Sequence, residues 1–438
     1  MRFEREPDKQ LVFADLHIHS RYSRATSQKM NIKEITRFAR IKGLNLVGTG
    51  DFTHPQWLQE LKNNLTEIQD TDLYRPAETP GSPVRFMITG EVCTIFNFEG
   101  NVKKIHHVIL TPSFENAIQI NERLAKHGDL TADGRPILGM TAPQLVEEIM
   151  EVSRDNVVIP AHAWTPWFSL FGAFSGFNHI EDCYQDTTRH IPALETGLSS
   201  DPPMNWRLST LDKYALVSNS DCHSAWPWRI GREANVFELK KLSYREVVEA
   251  IRKRDPKRFR FTVETNPAYG KYHWTGHRNC KVSLPPQEAI KLGNHCPVCR
   301  RTLTKGVEQR IEELADRPMG FKPEGAIGYM HLLPLSEIIS SVTGVTYPGV
   351  QKVWNIYNVL ISKFGDEYSV LIEASKEAMA EVVDREIAEA VVRVREGRVK
   401  VAPGYDGVYG QLQIFEEKDV EEEAFSAKIK QRSLTDFV

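Results

Sequence analysis

Imidazoles and carboxylates recur where apolar runs of this chain end. Asp15, His17 and His19 close the run LVFADLHI (11–18), and Asp51 and His54 follow LNLVGT (44–49). Glu91 sits within or just after the run RFMITGEVCTIFNF (85–98), and His106 and His107 lie in IHHVIL (105–110). His162 ends VVIPAH (157–162), Glu195 ends ALE (193–195), and Asp221 and His223 follow YALVSNS (214–220). In a strand, residues two apart point to one side, so the pair His17 and His19 presents both rings together. By the same rule only one of the neighbours His106 and His107 faces inward. Imidazole and carboxylate together suit Zn, Mn or Fe. Several such groups in one place turn water into hydroxide near neutral pH and clamp a phosphate oxygen. One histidine near a strand end is ordinarily structural; the same chemistry at seven strand ends is not explained by packing.

A second set is compact in sequence: His277-x2-Cys280-x15-Cys296-x2-Cys299. Two ligand pairs separated by about 15 residues match tetrahedral zinc in a ribbon-like module. Four protein ligands leave no open position, so this metal is expected to fold the module rather than react. Arg278 and Arg300 flank the ligands and are candidate phosphate contacts.

The elements needed to position the first set are short strands alternating with amphipathic helices over the first ~260 residues. That alternation argues for a parallel sheet, open or closed into a barrel. Residues at the carboxyl ends of parallel strands converge on one face. The 438 residues allow two or three domains at roughly 150 residues each. The expected division is a metal-binding domain over 1–260, a zinc-binding module over 261–305, a helical DNA-binding domain over 306–412 and an acidic tail over 413–438. The best helical pattern is 370–397. The basic run 251–260 marks the end of the first domain.

Net charge is −3 and 41% of residues are hydrophobic, so bulk charge announces no nucleic-acid partner; basic patches act locally. No apolar run approaches the roughly 18–20 residues of a membrane span. The charged N-terminus MRFEREPDKQ lacks a signal core. The expectation is an intracellular protein of the cytoplasm or nucleoid, with no membrane partner, and a monomer.

The ordered motifs DLHIHS, TGDFTH, TGEV, a mid-chain histidine, PAHAW and NSDCHS resemble the polymerase-and-histidinol-phosphatase (PHP) superfamily over roughly residues 11–235. The resemblance implies a distorted (β/α)7 barrel holding two or three divalent ions, Zn, Mn or Mg. Residue by residue it implies His17, His19, Asp51, Glu91, His107, His162, Asp221 and His223 as ligands. His107 is preferred over His106 by the family pattern. TGDFTH replaces the usual TDH, which leaves Asp51, His54 or both as ligands. Arg24 stands where many members carry Asp. Glu195 is a compensating carboxylate and Asp201 a proton-transfer candidate, so Arg24, Glu195 and Asp201 form the candidate catalytic set.

Over the whole chain the sequence resembles the endonuclease Q family, on SRYSRATS (20–27), GTGDFTHP (48–55), the Cys/His module and PGYDGVYG (403–410). The resemblance implies hydrolysis of DNA on the 5′ side of uracil, hypoxanthine, xanthine and abasic sites, leaving a 3′-hydroxyl and a 5′-phosphate. A flipped base read in a pocket is the usual route to such selectivity. The partner is damaged double- or single-stranded DNA. Candidate DNA contacts are Tyr22, the uncharged aromatic stretch 163–177 with Trp167, Phe168 and Phe171, and Arg207, Arg278, Arg300 and Tyr405. Gln431, Leu434, Phe437 and Val438 resemble the peptide that docks on a PCNA-type sliding clamp, although that peptide usually ends in two aromatics. The competing readings are a phosphatase of small phosphomonoesters and a non-catalytic DNA-binding scaffold.

Overall fold

The computed structural model describes residues 8–415. The strands are β1 (Gln10–Asp15), β2 (Leu46–Gly48), β3 (Leu65–Ile68), β4 (Leu73–Pro76), β5 (Arg85–Phe98), β6 (Asn101–Thr111), β7 (Ile137–Leu138) and β8 (Val157–Pro160). Then come β9 (Ala193–Glu195), β10 (Ala215–Val217), β11 (Ala234–Leu239), β12 (Phe259–Glu264), β13 (Thr275–His277), β14 (Val282–Leu284) and β15 (Gly328–His331). Two short strands, Lys400–Ala402 and Gln411–Gln413, pair near the end.

The fold is mixed α/β. The main sheet runs β15-β12-β11-β1-β2-β5-β4-β3, with β6 and β7 on β5 and β8 on β6. β1, β2 and β5 are parallel neighbours, but β5, β6 and β8 alternate in direction. A wholly parallel sheet is therefore not what forms. The reason is local: Glu99 (φ 48°) and Gly100 (φ 78°) make a left-handed two-residue turn, so β5 and β6 close as one long hairpin. Among the described residues no single hydrogen-bonded ladder closes on itself. β8 and β9 meet through the Ala163 N–H to Glu195 carbonyl bond of 2.8 Å, β9 pairs with β10, and Cys222 bridges Ile18 beyond β1.

Helices follow where caps and apolar stripes coincide. Asn31 caps the helix Ile32–Lys42, whose Ile35, Phe38 and Ala39 are buried. Thr141 and Gln144 form a capping box on Ala142–Val152. The expected single helix over 370–397 is instead broken: a π-turn at Ser369–Glu373, then Lys376–Ala380 and Arg385–Arg395. Its apolar period persists because all three pieces face one core.

The expected boundary at residue 260 falls inside β12, and β15 adds a further strand to the same sheet. The C-terminal helices are joined to the sheet domain by buried polar contacts. Lys42 Nζ lies 2.7 Å from Glu367 Oε1 and 2.9 Å from the Pro227 carbonyl. Tyr368 stacks on Phe13 at 4.5 Å and donates its hydroxyl to the Gly231 carbonyl. No described helix is long and apolar enough to cross a membrane.

Candidate metal centre

The carboxylate of Glu91 lies at the middle of the site, fully buried on β5. Its Oε2 faces one set of groups: His19 Nε2 at 3.3 Å and His17 Nε2 at 3.6 Å. Asp221 Oδ1 completes this set, 2.9 Å from His19 Nε2 and 3.7 Å from His17 Nε2. Its Oε1 faces a second set: His106 Nδ1 at 2.8 Å and His162 Nε2 at 3.1 Å, themselves 3.2 Å apart. Ligand atoms around one tetrahedral ion at about 2.1 Å stand roughly 3.4 Å apart, so both sets have the spread of a metal site. His17 Nε2 is buried with no hydrogen-bond partner. An orphaned imidazole nitrogen aimed at carboxylates is what a missing cation explains. The groups thus fit two ions sharing Glu91, one with four protein ligands and one with three.

Behind these ligands a second layer fixes ring orientation. His17 Nδ1 is 3.0 Å from both oxygens of Glu195, which also accept the His162 N–H (2.7 Å) and Asn219 Nδ2 (2.8 Å). His19 Nδ1 is 2.9 Å from Asp51 Oδ1, while Asp51 Oδ2 accepts from Ser20 N–H, Ser20 Oγ and Ser23 Oγ at 2.6, 2.7 and 2.9 Å. His17 and His19 are thereby held with Nδ1 toward a carboxylate and Nε2 toward the centre, whereas His106 presents Nδ1 to Glu91. Asp51 and Glu195 thus stand on the Nδ1 side of the rings, outside both ligand sets.

The backbone at this rim is unusual. Asp51, His162 and Asp221 have φ of 48°, 30° and 47°, a region that non-glycine residues seldom occupy. Gly197 (φ 61°) is required because a Cβ there would come within 2.7 Å of His162 Cβ.

Electrostatics match a cation site. Burial would raise the Glu91 carboxyl, but His106, Arg135 and His17 hold it well below the usual range. Burial pushes His106 down to about 4, which keeps it neutral and able to ligate. Burial would likewise lower His17, but Glu195, Glu91 and Asp221 raise it well above its usual value. Such an accumulation of carboxylates around imidazoles is stabilised by cations.

Residues 334–398 match the family model described as the MJ0043 C-terminal domain. The crystal structure of the lesion-specific endonuclease PfuEndoQ from Pyrococcus furiosus has a TM-score of 0.83 with this chain at 34% identity, covering 93% of this chain and 96% of that one. The chain belongs to the endonuclease Q family. A second endonuclease Q structure, a complex with a 27-mer duplex substrate bearing an abasic lesion at the active site, has a TM-score of 0.82 at 34% identity over 93% and 98% of the two chains. The uncharacterized protein MJ0043 of Methanocaldococcus jannaschii is 31% identical over 258 residues, 57% of this chain and 31% of that protein. The chain thus spans about a third of that relative's length.

In this endonuclease Q family member several expected residues lie elsewhere. His107, expected to face the ions, is turned away: its Nδ1 is 2.8 Å from Tyr184 Oη and its Nε2 2.9 Å from Thr94 Oγ1. Register decides this. Cys93 pairs with His106 and Val92 with His107, and Glu91 shares a face with Cys93. His54 stacks on Tyr22 at 4.4 Å with Nε2 3.2 Å from the Thr131 carbonyl, outside both sets. His223 lies at the rim, its ring 4.5 Å from His19 and its Nδ1 3.0 Å from the Asp221 carbonyl.

The candidate catalytic set is dispersed. Asp201 caps the helix Pro202–Asn205 through Oδ1, and its Oδ2 is 3.0 Å from His331 Nε2. Arg24 is 87% exposed and 3.9 Å from Asp133. Two expected DNA contacts are buried: Phe171 packs on Trp164 at 4.7 Å, and Arg207 pairs with Glu312 at 2.7 Å. Trp167 is exposed, stacked on Phe174 at 4.9 Å and edge-on to Tyr272 at 5.4 Å, while Phe168 lies 5.1 Å from His106.

His277, Cys280, Cys296 and Cys299 come together as expected, with Cys299 Sγ 3.3 Å from His277 Nδ1. Among the described residues the fully buried core beside them is Ala289, Cys296 and Leu303, with Val282 and Leu284 half-buried against it, little apolar burial to hold the module without a cross-link. The loop 403–410 packs on the Cys/His module. Asp406 ties it to the module through Arg278 N–H (2.8 Å) and Thr304 Oγ1 (2.7 Å), and Tyr405 bridges Trp274. Arg300 is exposed on the second knuckle, with φ 63°.

Proposed function

We propose that this protein is a metal-dependent endodeoxyribonuclease that cuts DNA on the 5′ side of deaminated bases (uracil, hypoxanthine, xanthine) and abasic sites, leaving a 3′-hydroxyl and a 5′-phosphate. The observation that carries this reading is Glu91 shared between two ligand sets, within a chain of the endonuclease Q family. The 34% identity to an endonuclease Q bound to abasic duplex DNA supports the substrate class.

His17, His19, Glu91 and Asp221 would hold one divalent ion, and Glu91, His106 and His162 the other. Divalent ions there supply Lewis-acid stabilisation of charge on a phosphate and activation of water. Of the chain's own residues, Glu195 and Asp51 orient the rings of His17 and His19. The sheet domain is read as the distorted (β/α)7 barrel that the family resemblance implies, a reading supported by the Ala163–Glu195 and Ile18–Cys222 contacts. Phe168 lies 5.1 Å from the His106 ring, and the exposed Trp167, stacked on Phe174, suits stacking on an unstacked base. The zinc module, with Arg278 and Arg300, and the helical domain hold DNA, and an extruded base is read at the metal centre. Gln431, Leu434, Phe437 and Val438 lie outside the described residues; their role as a sliding-clamp peptide rests on the sequence alone.

The test is a labelled duplex bearing one uracil, hypoxanthine or abasic site, with and without chelator. Metal-dependent incision 5′ to the lesion is expected, with the undamaged duplex intact. Hydrolysis of p-nitrophenyl phosphate or histidinol phosphate without DNA incision would favour the small-substrate phosphatase instead.

A further inference from the structure

Arg135 lies in the loop before β7, at a position no sequence motif marks. Its Nη1 is 3.1 Å from Glu91 Oε2, the oxygen that faces His17 and His19. The Arg135 side chain is 26% exposed and Glu91 is not exposed at all, so the guanidinium reaches from the open side of the site to its floor.

The loop is built to hold it there. Asp133 Oδ1 accepts the Arg135 N–H at 3.0 Å, and the Pro136 carbonyl accepts the Cys93 N–H at 2.9 Å. Gly134 donates its N–H to the Tyr22 carbonyl at 3.1 Å, and its own carbonyl accepts from Thr53 Oγ1 at 3.2 Å. A Cβ on Gly134 would come within 2.4 Å of both Asp51 Oδ2 and Ser23 Oγ, so this backbone lies directly on the group that orients His19. Arg135 is thus registered to the metal centre by the residues on either side of it.

A cation held beside Glu91 would compete with Arg135 for the carboxylate and repel its guanidinium. The fork of five N–H donors then suits the non-bridging oxygens of a phosphate. We propose that Arg135 is a further catalytic residue, donating to a non-bridging oxygen of the scissile phosphate and offsetting the negative charge that grows there. It forms and breaks no covalent bond. Water oxygen adds to phosphorus, the bond from phosphorus to the 3′-oxygen breaks, and the 3′-oxygen gains a proton. This inference rests on the phosphodiesterase reading above.

The test uses the full chain loaded with divalent metal, as wild type, Arg135→Ala and Arg135→Lys. Three quantities are measured: single-turnover incision of a lesion-bearing duplex, bound metal by elemental analysis, and affinity for inorganic phosphate by calorimetry. For Arg135→Ala the incision rate is expected to fall about 10²–10³-fold with bound metal unchanged, the loss typical of one oxyanion donor. Phosphate affinity is expected to weaken by at least about tenfold, and lysine to restore only part of either, as a point charge without the fork. A rate loss matched by lost metal would make Arg135 a support for Glu91 and overturn the proposal, as would incision and phosphate affinity within about threefold of wild type. If wild type cuts no DNA, the nuclease reading fails, and the phosphate titration alone decides Arg135: weakened affinity supports it and unchanged affinity overturns it.

Discussion

Asp51 Oδ1 lies 2.9 Å from His19 Nδ1, so the carboxylate stands behind the ring and turns Nε2 toward Asp221 and Glu91. This arrangement separates ligands from the groups that aim them. Asp51→Asn and Glu195→Gln are each expected to cost about 10–100-fold in metal affinity or activity, the usual loss for an outer partner of a ligating histidine. His19→Ala or Asp221→Ala is expected to abolish incision while the chain stays folded. Metal titration with single-turnover kinetics checks this; Asp51→Asn as inactive as His19→Ala would make Asp51 a direct ligand.

The Cys/His module makes a separate prediction. Three buried residues form its core, so metal must supply its folding energy. Cys296→Ser is expected to remove one bound zinc and to make 271–305 protease-sensitive, leaving metal at Glu91 in place. A resistant module without zinc would contradict this.

Lys42 and Glu367 are both buried where the helical domain meets the sheet domain, with side-chain exposures of 1% and 0%. Lys42→Met leaves the Glu367 carboxylate with Tyr357 and the Leu335 N–H but no cation. Stranding one partner of a buried pair costs about 3–5 kcal/mol, so denaturant unfolding should shift by that amount. A change below about 1 kcal/mol would place the pair in an exposed, screened setting.

Buried acids away from the metals give a pH dependence. Burial pushes Glu233 up to about 8 and raises Glu264, which lies near it, well above the carboxylate range. The folded state therefore binds more protons than the unfolded chain, whose glutamates ionise near 4.5. Stability from Glu233 is fully present below pH ~4.5 and is lost as pH rises through ~8. The midpoint of thermal unfolding should fall between pH 6 and pH 8.5, and fall less in Glu233→Gln. Equal slopes would contradict the assignment.

Much of the centre was legible because its chemistry is local in sequence. His17 with His19, Asp221 beyond its strand, and the Cys/His spacing each declare themselves within a few residues. What was not legible depends on register and on distant contacts. His106 and His107 are equivalent until β6 is aligned on β5, where pairing with Cys93 and Val92 separates them. Asp51 and Glu195 are carboxylates at strand ends like Asp221, and only their distance to an Nδ1 marks them as orienting groups. Arg135 lies in a loop without motif and is placed by Gly134 against Asp51. The hairpin of β5 and β6 was hidden because strand–helix alternation on either side of it suggests parallel neighbours.

The central claim is that one carboxylate, Glu91, is shared by two divalent ions. Anomalous diffraction from crystals grown with manganese tests it most directly. Two peaks are expected, one among His17, His19, Glu91 and Asp221 and one among Glu91, His106 and His162. Crystals at full manganese loading with no anomalous density beside Glu91 would contradict it.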